Sequence, residues 1–173
     1  FANADSEFDY ISAQADNGVQ VQVQVLATSS ILHLDGDSDD NNTGDADNKV
    51  TIADTKTLSS SSLLALAAKE GSIVAAGAMT LLAKNGITIH DTFTGSSSTG
   101  KAIVMNSDSD SNGSTANQDG VLTMQAGKIL TSGGNTILIT AHDVDIDGSI
   151  TTAAAAMTIH GAVASQTVGL GAA

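Results

Sequence analysis

Residues 120–161 read GVLTMQAGKILTSGGNTILITAHDVDIDGSITTAAAAMTIHG, and this stretch decides the fold. Short apolar bursts recur in it: Val121-Leu-Thr-Met124, Ile129-Leu130, Ile137-Leu-Ile139, Val144-Asp-Ile146 and Met157-Thr-Ile159. Within each burst the residues that favour burial stand two apart, the spacing of a strand with one face in a core. None is long enough for a helix or for a strand of a large sheet. Many very short strands at near-regular intervals predict a chain that coils repeatedly around one narrow core, a β-solenoid.

The same order of features occurs earlier. Val50-Thr-Ile52 matches Leu122-Thr-Met124, Thr55–Leu58 matches Gly127–Leu130, and Leu64-Ala-Leu66 matches Ile137-Leu-Ile139. Gly71-Ser-Ile73 matches Gly148-Ser-Ile150, and Ala78–Leu81 matches Ala156–Ile159. Each copy follows an acidic run, at Asp35–Asp47 and at Asp108–Asp119. The offset grows from 72 to 78 residues, more than one solenoid rung, which suggests two superrepeats, about 31–95 and 103–161. Residues 1–18 read as an N-terminal segment, and 19–173 as one solenoid of about seven or eight rungs, with roughly 16–22 residues per rung outside the acidic excursions.

Composition agrees. The core is supplied by Ala, Val, Ile and Leu, since aromatics make up only 2% of the 173 residues. Stacked small aliphatics suit a slim core better than a wide one. With no Pro, the turns rely on Gly, Asn, Asp and Ser. Val19-Gln-Val-Gln-Val-Gln-Val25 alternates strictly and reads as one strand with a buried Val face. Leu63–Lys69 has helical propensity, but its match Thr136–His142 is β-branched, so strand is expected there.

The formal charge of −13 comes from 19 acids against six Lys and no Arg. Such a surface repels nucleic acid and anionic membranes and favours cations. No apolar run approaches the ~20 residues of a membrane span. Without Cys there are neither disulfides nor thiolate metal sites.

Gly127–Ala141, with Val144–Ile150 and Met157–Gly161 after it, resembles the repeats of large secreted β-helical exoproteins, of which the filamentous-haemagglutinin-like adhesins are the best known. The resemblance covers most of residues 19–170 as a style of repeat. It implies a right-handed parallel β-helix, secretion or surface display, and adhesive or structural use. The Asp-rich loops depart from the usual rung of that family and resemble calcium loops of extracellular proteins.

Asp108, Asp110, Asn112, Gly113 and Asp119 fit D-x-D-x-[DN]-G-x5-[DE], in which alternating oxygen ligands wrap one hard cation. The first loop offers Asp35, Asp37, Asp39 and Asp45, with Asp40 and Asp47 beside them but no Gly in register. Calcium is the cofactor these loops suggest, against solvated acidic turns. Asp143-Val-Asp-Ile-Asp-Gly148 also fits the start of the pattern, yet its alternation reads as an outward Asp ladder on a strand. Asn41 and Asn112 each begin an N-x-[ST] sequon and are candidate glycan sites.

A Thr recurs between apolar neighbours at Thr51, Thr80, Thr88, Thr123 and Thr158. Outward Thr residues stacked from rung to rung account for this. The sharper alternative is an ice-binding face, for which two outward Thr per rung are expected where the sequence offers mostly one. His33, His90, His142 and His160 have no metal-ligand spacing. No nucleophile elbow, phosphate loop or dinucleotide fingerprint occurs, and no enzymatic activity is expected.

Neither end of the repeat pattern carries a polar cap, and uncapped solenoid ends invite further copies. Together these readings point to a structural segment of an extracellular or cell-surface filament that assembles head-to-tail with copies of itself. The alternative is a calcium-dependent adhesin or binding module.

Overall fold

The computed structural model describes residues 4–41, 47–111 and 120–167. These residues form β-strands without helices, wound as a three-sheet parallel β-helix. The first rung holds β1 (Ser6–Phe8), β2 (Ile11–Gln14) and β3 (Val19–Val21). The second holds β4 (Val25–Ala27), β5 (Leu32–Asp35) and β6 (Lys49–Ile52). The third holds β7 (Lys56–Ser60), β8 (Leu64–Ala67) and β9 (Ser72–Ala75), and the fourth β10 (Met79–Ala83), β11 (Ile87–Ile89) and β12 (Phe93–Thr94). The fifth holds β13 (Ile103–Asn106), β14 (Val121–Met124) and β15 (Ile129–Thr131). The sixth holds β16 (Ile137–Ala141), β17 (Asp143–Ile146) and β18 (Ser149–Thr151), and β19 (Met157–Gly161) begins a seventh.

Every third strand joins the same sheet, so each strand pairs in parallel with its counterpart one rung before and after. Sheet A runs from β1 to β19 in seven strands, sheet B from β2 to β17 in six, and sheet C from β3 to β18 in six. One rung spans 19 residues from Ser6 to Val25, 33 from Val25 to Leu58 and 23 from Leu58 to Leu81. It then spans 24 from Leu81 to Met105, 34 from Met105 to Ile139 and 20 from Ile139 to Ile159. The two long rungs are those that carry the acidic loops.

The core consists of straight columns of aliphatic side chains. Leu32, Leu64, Ile87 and Leu122 stack on sheet B, and Val50, Ile73, Phe93 and Leu130 on sheet C. All are buried. Val25, Leu58, Leu81, Met105 and Ile139 form the matching column on sheet A. Phe93, fully buried between Ile73 and Leu130, is the one ring in this spine.

Several expectations need correction. Residues 6–14 do not precede the solenoid; they supply β1 and β2 of its first rung. The Val19–Val25 alternation is not one strand. It spans β3, a corner and β4, and Val19, Val21, Val23 and Val25 are all buried because inward–outward alternation continues around the bend. The superrepeat matches do not all follow the rungs. Gly71-Ser-Ile73 and Gly148-Ser-Ile150 both lie at sheet C, yet Leu64–Leu66 is on sheet B and its match Ile137–Ile139 on sheet A. The five recurrent Thr are likewise divided among the sheets: Thr51 on C, Thr80 and Thr158 on A, Thr88 and Thr123 paired on B. Leu64–Ala67 is a strand, as its β-branched match implied.

Candidate functional site: acidic corner loops and end rungs

The two acidic loops leave the solenoid at different corners. The first joins β5 of sheet B to β6 of sheet C, and the second joins β13 of sheet A to β14 of sheet B. They nevertheless open with the same turn. Asp37 N–H donates to Asp35 Oδ1 at 3.1 Å, and Asp108 N–H to Asn106 Oδ1 at 3.2 Å. Asp40 N–H donates to the Asp37 carbonyl at 3.3 Å, and Ser111 N–H to the Asp108 carbonyl at 3.2 Å. Asp40 and Ser111 both take positive φ, 59° and 53°. Ser38 and Ser109 N–H groups reach back to carbonyls of the preceding rung. At the centre of each turn an aspartate, Asp37 or Asp108, is fully buried.

In the first loop the carboxylates face N–H donors. Asp37 Oδ2 accepts the Glu70 N–H at 2.6 Å from the next rung, and its Oδ1 accepts the Asn41 N–H at 3.3 Å. Asp39 accepts the Asn41 amide at 2.9 Å, and Asp40 pairs with Lys69 at 3.0 Å. That pair holds the Lys69 ammonium above its ordinary pKa, through the hydrogen bond to Asp40 first. Asn41, the first candidate glycan acceptor, is exposed. Asp110 is exposed beside the second turn. Asp45, Asn112 and Asp119 lie outside the described residues. Among the described residues, no three His, Asp or Glu side chains are placed to hold a metal ion together.

The turn at Asp37 belongs to a wider device that sequence reasoning missed. At corner after corner an Asp or Asn side chain accepts a backbone N–H from the adjacent rung. Asp5 takes Gln24 N–H at 3.1 Å, Asn17 takes Asp47 at 3.0 Å and Asp54 takes Ala78 at 2.8 Å. Asp91 takes Ala68 at 2.8 Å and Asn135 takes Lys101 at 2.9 Å. Corners break the sheet ladder and leave amides without a carbonyl; a short polar side chain from the rung before or after supplies the acceptor. Asp54 also pairs with Lys101, which, ahead of the Ala78 amide, holds its carboxyl below the usual range. The clue available in sequence was the spacing: these residues precede or follow apolar bursts without forming a run.

Sheet B carries a groove of about 350 Å³. Ala67, paired with Asp35, lines it together with His33, Lys69 and His90. His90 bonds Gln125 at 2.7 Å, and Lys128 pairs with Asp91 at the rim. Burial, partly opposed by Asp91, pushes the His90 pKa down.

The last rungs are less covered than the middle. Val144, Ile146, Ile150 and Ile159 point to the core yet are only partly buried, and Met157 is 45% exposed. At the opposite end Phe8 of β1 is 36% exposed. Among the described residues no strand pairs with the outer edges of β17, β18 and β19, nor with those of β1, β2 and β3. No helix of the described residues is long and apolar enough to cross a membrane. No family model, no curated protein and no solved structure matches this chain.

Proposed function

We propose that this chain is a structural module of an extracellular or cell-surface filament, assembling head-to-tail by stacking its end rungs on further copies of itself. The observation that carries this reading is the outermost strands of the described stack. Among the described residues, each end presents three parallel strand edges without a partner strand, and at the last rungs the aliphatic core is only partly covered. Unpaired edges are templates for pairing, and a contact between unlike ends propagates instead of closing. Both ends carry the same three-sheet cross-section, so a second copy continues every column. The acidic surface and the exoprotein-like repeats support an extracellular setting. Sedimentation velocity over a concentration series tests the reading. Growing species are expected, with Ile159→Asp arresting growth; a monomer at every concentration refutes it.

A second reading, a calcium-dependent binding module, draws on the common turn that buries Asp37 and Asp108. A melting temperature that falls on chelation and returns with calcium supports it over the first.

A further inference from the structure

We propose that the outer face of sheet C binds ice. The strand register assembles there a two-column array that the linear sequence does not reveal. One column runs Thr51, Val74, Thr94, Thr131, Thr151, each residue paired with the next. Beside it run Ser72, Thr92 just before β12, Ile129 and Ser149, with Ile129 paired to Ser149. Four successive rungs thus present Ser72 and Val74, Thr92 and Thr94, Ile129 and Thr131, then Ser149 and Thr151. The intervening Ile73, Phe93 and Leu130 are buried, which turns these pairs outward. The recurrent Thr noticed in sequence are not the array, because they are divided among three sheets; Thr51 alone belongs to it.

Three properties suit a crystalline water surface. Across the four rungs from Ser72 to Thr151 the array holds no charge, on a chain of net charge −13; Lys49, paired with Ser72, stands beside Thr51 one rung before and bounds it. None of its hydroxyls bonds to protein among the described residues, whereas Thr28, Ser60 and Ser107 spend theirs on backbone carbonyls. Its residues are mostly β-branched, so one χ1 well fixes each methyl and hydroxyl. The ladder fixes spacing as well, about 4.8 Å between rungs and roughly 6.6 Å between the two columns. Hydroxyls held at such intervals anchor water, and the methyls between them order it into a repeating layer that a crystal face can continue.

Size selects the occupant. Four rungs by two columns cover on the order of 200 Å², far below the ~800 Å² per partner of a stable protein interface. A globular partner or a second copy has too little to hold, while a periodic solid needs only the repeat.

The test is inhibition of ice recrystallisation, with thermal hysteresis, by the intact chain and by Thr131→Lys, Thr151→Lys and Thr123→Lys. Thr123 lies on sheet B and controls for the added charge. The intact chain and Thr123→Lys are expected to restrain crystal growth, and both sheet C variants to lose the effect while keeping the native melting curve. Thr151 is exposed near the last rungs, so it remains informative if the Thr131 variant fails to fold. No effect by the intact chain, retention by folded sheet C variants, or equal loss in Thr123→Lys overturns the proposal. Binding to crystalline polysaccharide or self-association through this face, without an effect on ice, overturns it too.

Discussion

The buried carboxylate of Asp37 accepts the backbone N–H of Glu70 at 2.6 Å, from one rung to the next. The deepest acid of the first acidic loop is therefore part of the frame. Asp37→Ala leaves the Glu70 amide without its acceptor and is expected to cost about 1–3 kcal/mol in chemical denaturation. Asp39→Ala, at an exposed position, should change little. Equal effects of the two substitutions would contradict the staple.

Chelation follows from the same contacts. Asp35, Asp37, Asp39 and Asp40 already face amide or ammonium donors, and a cation would have to displace them. The melting temperature is expected to be the same with and without a calcium chelator. A fall of several degrees, reversed by calcium, favours the calcium-dependent reading.

At Gly71 two rungs approach closely. A Cβ built there would meet the Asn48 carbonyl oxygen at 1.5 Å, so the backbone itself must move. Gly71→Ala is expected to destabilise by about 1–3 kcal/mol or more, as overpacking does. Phe93→Ala probes the reverse, a void between Ile73 and Leu130, with an expected loss of about 3–5 kcal/mol. Denaturant melts of both variants check these values; wild-type stability in either would mean the columns are loosely packed.

Stability should fall in acid, in two steps. His90 has its pKa below 6.5 in the folded chain, so the unfolded chain takes up the proton first, and stability drops as pH falls through and below 6.5. Asp54 is held below 3.8, so its contribution is present above that value and disappears as pH falls further. Melting curves from pH 7.5 to 3 test this, and His90→Gln should flatten the upper step alone. An unchanged slope in that variant would assign the step elsewhere.

The solenoid was legible because inward residues at two-residue spacing recur in Val121–Met124, Ile137–Ile139 and Met157–Ile159. The corners were not. The alternation from Val19 to Val25 passes a bend without interruption, since the corner residue Val23 also points inward. The superrepeat was misaligned for a related reason. Strands on all three sheets obey one burial pattern, so Leu64–Leu66 matches Ile137–Ile139 as well as it matches its true stacking partner Ile87–Ile89. The acid runs were visible as charge, but the use of Asp54, Asp91 and Asn135 as acceptors depends on which corner lies above them. The paired face of sheet C was hidden likewise, because its columns join residues some twenty or more positions apart.

Electron microscopy of the native protein tests the central claim most directly. Six rungs at about 4.8 Å make one copy roughly 30 Å long. Unbranched rods of constant width, many times that length and longer at higher concentration, are the predicted result. Single particles about 30 Å long at every concentration would contradict it.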